Sequence, residues 1–342
     1  MRAAVFDGPK KPLRIDSIPD PAPEPDEVVV RVCSCGICGS DLHMTEGHGM
    51  TFPDGTILGH EFSGEIVALG KDARHLDIGD RVAVLPVKSC GKCVACIAGR
   101  PVKCIRNNII GCGEIPGGYA EYARAPAAGC LKLPDQMSFD DGALLEPLSV
   151  ALRGVRMAQV RPGTRVLVTG VGPIGLSALF WARHFGAERL VAMATSRRRA
   201  ALAMGMGADA LVLLEDGPDA VRDALGGPAD IVLECSGQPG MISRAIGEVA
   251  TSGMVTVLGT CAVPDSFVPV AALAKEVTMR FSFMYEHDDY RLALETVAAD
   301  SAPVRSMITG HIGFAALSET FETLRGRTSH CKVMIHPTAS DA

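Results

Sequence analysis

An α/β protein is expected, with a β-rich half followed by a doubly wound parallel sheet, on three grounds. With 342 residues the chain exceeds one ordinary core and calls for a pair of packed domains. Up to about Pro134 its apolar residues come in short runs, at 27–32, 61–69, 81–86 and 119–124, broken by Gly, Pro and Asp as antiparallel strands and turns are. From Phe139 strand and helix lengths alternate, at 165–168, 174–185, 189–192, 197–206 and 231–235, a pattern that builds a parallel sheet with helices on both faces.

After Lys275 come an apolar strand at 278–285, amphipathic segments at 290–299 and 317–324, and a last strand at 331–335. This final part is expected to rejoin the first domain. Pro19 to Pro25 reads as a stiff surface connector. Hydrophobic residues at 47% and charged residues at 21% exclude a disordered or fibrous chain. The net charge of -6, with no basic run longer than Arg197-Arg198-Arg199, offers no face for nucleic acid.

The opening Met1-Arg2-Ala3-Ala4-Val5-Phe6-Asp7 lacks the apolar core of an export signal. The one long apolar stretch, 166–182, holds Gly170, Gly172, Pro173 and Gly175, which suits a strand-turn-helix rather than a membrane span. A soluble, cytoplasmic protein without membrane or nucleic-acid partners is therefore expected. In that compartment twelve cysteines point to reduced thiols and metal binding, not to a disulfide framework.

Cys90, Cys93, Cys96 and Cys104 form C-x2-C-x2-C-x7-C, with Gly91, Gly99 and Pro101 permitting tight turns between them. Four thiolates can close a tetrahedral shell around zinc and leave no position for water, the mark of a structural metal. An iron-sulfur cluster takes four thiolates as well.

The strand 165–169 runs into Gly170-Val171-Gly172-Pro173-Ile174-Gly175 and then a helix-length segment, the context in which G-x-G-x-x-G binds a dinucleotide pyrophosphate at a helix N-terminus. At the end of the second strand an NAD site carries an acid for the ribose hydroxyls; here Ala194 stands in its place. Thr195, Ser196, Arg197 and Arg198 follow, hydroxyls and guanidiniums suited to a 2′-phosphate, so NADP is expected over NAD. An arginine run is also an ordinary solvated helix start.

The segments Cys35-Gly36-Ile37-Cys38-Gly39-Ser40-Asp41-Leu42-His43 and Gly59-His60-Glu61, with Glu146 in Leu145-Glu146-Pro147-Leu148, supply a thiolate, an imidazole and carboxylates beside glycines. So asymmetric a set suits a catalytic zinc with an open position. In this order, with the four-cysteine lobe and the glycine fingerprint, the segments resemble the zinc-dependent medium-chain dehydrogenases along nearly the whole chain. Leu58-Gly59-His60-Glu61-Phe62-Ser63-Gly64-Glu65, Glu146-Pro147-Leu148-Ser149-Val150-Ala151-Leu152 and Lys275-Glu276-Val277-Thr278 resemble most the sorbitol and 2,3-butanediol dehydrogenase branch.

That resemblance implies a GroES-like catalytic domain, 1–152 with 287–342, and a Rossmann domain, 153–286. It implies two zinc ions per chain, the catalytic one on Cys38, His60 and a carboxylate, with Glu61 and Glu146 either coordinating the metal or holding its water. Ser40 resembles the hydroxyl that contacts the substrate oxygen and starts a proton relay, and His43 a later member beside the cofactor ribose. Hydride would pass between a secondary alcohol or polyol and NADP(H). The strand 278–285 resembles the family's pairing edge, implying a homodimer or homotetramer.

Two other classes share parts of the pattern: a nucleotide-binding protein without catalysis, and a zinc-free quinone or enoyl reductase. The Cys38, His60, Glu61 and Glu146 set argues against the first, and the two metal-type clusters against the second. Cys33, Cys35, Cys112, Cys130, Cys235, Cys261 and Cys331 read as small apolar residues of a reduced interior. His48, His75, His184, His287, His311, His330 and His336 stand in no metal-spaced cluster and read as surface or core residues.

Overall fold

The computed structural model describes residues 1–47 and 51–338; His48 lies outside them. The chain forms two compact units, Met1–Glu146 with Glu286–Ser301 and Ile308–Ala342, and Pro147–Tyr285 with Ala302–Met307. The seam falls between Glu146 and Pro147, within the helix Phe139–Met157. A proline there has no N–H to give the helix ladder, so the two halves of that helix are joined by one hydrogen bond fewer. The boundary expected at 152/153 lies inside the same helix.

In the first unit the strand Glu27–Gly36 is the organising element. It pairs antiparallel with Glu61–Leu69, Tyr122–Pro126 and Lys332–Ile335 in a seven-stranded sheet. Its alternate residues Val28, Val30 and Val32 share a buried core with Phe62, Ile66 and Val82. The register sets Gly36 opposite both Glu61 and Met334, so residues far apart in sequence meet at one end of the sheet. The strand Ile308–Ile312 joins Lys332–Ile335 in parallel at the sheet's edge. Sequence patterning does not foresee it, because Gly310 and His311 interrupt its apolar alternation.

The second unit is built on six parallel strands. In spatial order they are Ala210–Leu213, Arg189–Ala194, Arg165–Thr169, Ala229–Glu234, Val249–Val257 and Thr278–Phe281. Numbered along the chain this is 3-2-1-4-5-6, the doubly wound dinucleotide-binding order, with its reversal beside Arg165–Thr169. Leu167, Val191, Val232 and Val255 fill the core. The α/β expectation thus holds. The edge strand ends at Phe281, and Phe281 and Phe283 lie exposed there, as do Val270 and Leu273 of the helix Pro269–Leu273. No described helix is long and apolar enough to cross a membrane.

Candidate active site and metal centres

The sulfurs of Cys90, Cys93, Cys96 and Cys104 all lie within 4.8 Å of one another. Zinc–thiolate bonds of roughly 2.3 Å set tetrahedral sulfurs about 3.8 Å apart, so the group suits a single ion, without room for the several atoms of a cluster. Backbone N–H groups of Cys90 and Arg106 both donate to the Cys104 sulfur at 3.3 Å. The Lys92 backbone N–H lowers the Cys90 thiol to about 6, toward the thiolate that a metal needs. Val94, Ile97 and Ile105 on this lobe are exposed while Val102 and Cys104 are buried, so turns and the thiols themselves do much of the gathering.

The other group has different surroundings. Cys38 caps the short helix Gly39–Met44, and its sulfur meets His60 and Glu61 with all ligand atoms within 4.8 Å. Ser40 Oγ donates to the Cys38 sulfur at 3.2 Å and lies 3.5 Å from His60 Nε2. The other imidazole nitrogen, Nδ1, is 3.4 Å from Asp41 and 3.6 Å from the Cys112 sulfur. Asp41 is fully buried, accepts from the Cys38 backbone N–H at 3.1 Å and from the Tyr119 hydroxyl at 2.7 Å, and so orients the ring from behind.

Charge in this pocket favours a cation. Burial opposes the imidazolium, yet Cys112, Asp41 and Cys38 outweigh it and hold His60 well above its usual range. Burial, followed by the Glu61 carboxylate, pushes the Cys38 thiol up. A divalent ion bound to the sulfur and to Nε2 would relieve both, stabilising the thiolate and displacing the proton on the ring. The donor set therefore fits zinc.

Glu61 is held by a residue that the sequence did not suggest. Lys332, at the start of the last strand, donates to both its carboxylate oxygens, at 2.6 and 2.8 Å, and to the Ile37 carbonyl at 3.0 Å. Both partners are 1% exposed. Room for the pair comes from Gly36: a Cβ there would stand 2.1 Å from the nearer Glu61 oxygen. Glu146 is buried but is not gathered with Cys38, His60 and Glu61; its carboxylate adds to burial in raising the Tyr290 phenol. His43 is exposed and faces Glu46 at 3.9 Å.

In the second unit Gly170 takes φ +88° and Gly172 caps the helix Pro173–His184, with Ile174 and Gly175 in its first turn. A Cβ on Gly175 would fall 1.9 Å from the Gly170 carbonyl, whereas one on Gly172 would meet nothing. Gly175 thus packs helix against strand while Gly172 leaves open space in front of the helix. Ala194 ends its strand, Thr195 and Ser196 follow, and Arg197 and Arg198 are exposed on the turn Arg197–Arg199. Arg199 donates to the Val171 carbonyl at 3.2 Å, tying this turn to the glycine loop. The buried Glu234 ends the fourth strand and accepts from the backbone N–H of Ser236 at 2.8 Å and of Gly237 at 3.2 Å. Sequence motifs assign no role to Lys332, Asp41 or Glu234; the available signals are an isolated lysine opening an apolar strand and an aspartate between Ser40 and His43.

Residues 24–135 match the alcohol dehydrogenase GroES-like domain, and residues 173–299 the zinc-binding dehydrogenase family. Sorbitol dehydrogenase of Ovis aries is 34% identical over 338 residues, 96% of this chain and 94% of that one. D-xylulose reductase A of Aspergillus niger is 33% identical over 319 residues, 89% of each chain. The structure of 2R,3R-butanediol dehydrogenase from Bacillus subtilis is similar with a TM-score of 0.89 at 28% identity, over 98% of this chain and 99% of that one. A zinc-binding dehydrogenase from Sinorhizobium meliloti 1021 bound to NADP gives 0.87 at 29% identity, over 98% and 99%. An alcohol dehydrogenase from Escherichia coli CFT073 complexed with NADH gives 0.90 at 25%, over 98% and 99%. With relatives above 30% identity along nearly the whole chain, and both family patterns in place, the protein belongs to the zinc-dependent medium-chain alcohol and polyol dehydrogenases, in the company of the sorbitol and 2,3-butanediol dehydrogenases.

Proposed function

We propose that this protein interconverts a secondary alcohol or polyol and its ketone, passing hydride to and from NADP(H), with one catalytic and one structural zinc per chain. The observation that carries the reading is the meeting of Cys38, His60 and Glu61, with Ser40 against the first two. Cys38, His60 and a carboxylate, Glu61 or Glu146, would hold the catalytic ion, and the four cysteines the structural one. Zinc so held acts as a Lewis acid that lowers the pKa of a substrate hydroxyl.

The chain's own groups do the rest. The Asp41 carboxylate stands 3.4 Å from His60 Nδ1, while Nε2 is turned toward Ser40. Ser40 accepts the substrate hydroxyl proton during oxidation as it passes its own proton onward, with His43 a later relay member that delivers it to solvent, and the same exchange runs backward during reduction. Lys332 holds Glu61 by both oxygens and so positions the carboxylate that would coordinate the ion or hold its water. Gly170, Gly172, Pro173, Ile174 and Gly175 bind the pyrophosphate; Thr195, Ser196, Arg197 and Arg198 bind the 2′-phosphate where Ala194 leaves no carboxylate to repel it.

Polyols and vicinal diols are the substrate class that the sorbitol, xylulose and butanediol relatives favour. The exposed apolar residues on the edge strand support a homodimer or homotetramer. A cytoplasmic location, a catalytic domain of 1–152 and 287–342 and a cofactor domain of 153–286 belong to the same proposal and rest on the sequence and its resemblance alone. Initial rates with sorbitol, 2,3-butanediol and simple secondary alcohols, each offered NADP and NAD, test the proposal. Turnover with NADP preferred is expected. Preference for NAD would overturn the assignment of Arg197 and Arg198, and no turnover in zinc-loaded protein would overturn the reaction itself. Light scattering that found a monomer would overturn the assembly.

A further inference from the structure

Three side chains outside both metal centres converge on one point of the first unit. His311 lies on the edge strand Ile308–Ile312, His336 follows the strand Lys332–Ile335, and Asp140 is in the first turn of the helix Phe139–Met157. His311 Nε2 is 2.8 Å from one Asp140 oxygen, and His336 Nε2 is 2.9 Å from the other. The two rings lie 5.1 Å apart, centroid to centroid. Ser34, on the neighbouring strand Glu27–Gly36, donates its hydroxyl to Asp140 at 2.6 Å. In sequence the histidines stand 171 and 196 residues from the aspartate, which is why spacing conceals the group.

From this geometry we infer a third metal site, for a divalent first-row cation of the zinc or nickel type, held by His311 Nε2, His336 Nε2 and the Asp140 carboxylate. One ligand atom from each residue lies within 4.8 Å of the others. An ion about 2.1 Å from nitrogen and oxygen places adjacent ligand atoms roughly 3.0 Å apart in an octahedral shell and roughly 3.4 Å apart in a tetrahedral one, and the two separations seen here, each to a different carboxylate oxygen, stand nearer the octahedral value. Two imidazoles select a borderline metal over calcium or magnesium, which take oxygen shells. Ser34 supplies the outer hydrogen bond that orients a ligating carboxylate. His311 is half exposed, so an ion has access from solvent, and positions remain for water. Bound there, the ion would tie the last two strands of the sheet to the start of the helix, closing long loops that the sheet otherwise closes by pairing alone.

The same contacts would also arise if Asp140 only accepted hydrogen bonds from two neutral imidazoles, so the experiment must separate the two cases. Untagged, zinc-loaded protein is titrated with nickel, freed of excess by gel filtration and analysed for both metals; crystals are then measured at the nickel absorption edge. One nickel per chain with zinc content unchanged, and an anomalous peak between His311 and His336, is the expected result. In His311→Ala, and separately in Asp140→Asn, that nickel should be lost while zinc and alcohol oxidation remain. Absence of nickel from the wild type would leave only the hydrogen-bonded cluster and overturn the inference. Nickel bound equally by wild type and variants, or gained only as zinc is lost, would overturn it too. Because the readout is metal content, failure of the dehydrogenase reading would not touch it.

Discussion

The two metal centres of the proposed enzyme use different means to hold their ligands together. Cys90, Cys93, Cys96 and Cys104 sit in one loop, under exposed Val94, Ile97 and Ile105, and draw hydrogen bonds from backbone N–H groups within that loop. Cys38, His60 and Glu61 come from a helix cap and a strand start, and are supported by Asp41, Tyr119 and Lys332 in a buried sheet end. A closed four-thiolate shell needs little from the fold. An open site has fewer ligands, so the surrounding structure must fix the angles that the missing ligand would otherwise set.

Removing a ligand is the most severe test of that contrast. Cys38→Ser should lower kcat/KM on the order of 10⁴-fold, about 5 kcal/mol of transition-state stabilisation, and lose one zinc equivalent while the cysteine lobe keeps its own. Steady-state rates beside metal analysis check both parts. Activity within tenfold of wild type would show that the chemistry does not use this ion.

Next in size is the support behind Glu61. Lys332→Met leaves a buried carboxylate without its cation, which should cost about 3–5 kcal/mol in urea unfolding of zinc-free protein. Lys332→Met combined with Glu61→Gln should recover a good part of that loss, since a neutral amide tolerates burial better than a charge. If the double variant is no more stable than the single one, the lysine matters through its contact with the Ile37 carbonyl instead.

How much of this could be read from the sequence follows the same division. The cysteine lobe is legible because its ligands are contiguous, and the glycine fingerprint because strand, loop and helix are too. Cys38, His60 and Glu61 are visible as residue types in glycine-rich segments, but their mutual distances depend on the register that opposes Gly36 to Glu61. Lys332 and the His311–His336 pair depend on how the final strands add to that sheet, which no local pattern encodes. Asp41 was in plain view between Ser40 and His43, yet an aspartate in the first turn of a helix has an ordinary capping explanation.

Asp41→Asn tests a smaller effect. The amide keeps the shape but loses the charge behind His60, and such outer partners contribute roughly 10–100-fold in metal affinity. Competition for zinc against a chelating dye should show that weakening at the Cys38 centre alone. Equal affinities in variant and wild type would mean that Tyr119 and the sheet position the ring without help from the carboxylate.

The smallest effect on catalysis is expected where the sequence signal is strongest. Cys93→Ser removes one of four ligands from a lobe whose thiols depend on one another, so the ion should leave and the loop 88–106 should open to protease. Yet the lobe contributes none of the Cys38, His60, Glu61, Asp41 and Lys332 contacts. Initial rates at 25 °C should therefore stay within about tenfold of wild type, under roughly 1.4 kcal/mol, while the half-life on warming shortens. A loss as large as that of Cys38→Ser, in protein that still holds its other zinc, would mean that the closed centre shapes the open one, and that the two are a single device.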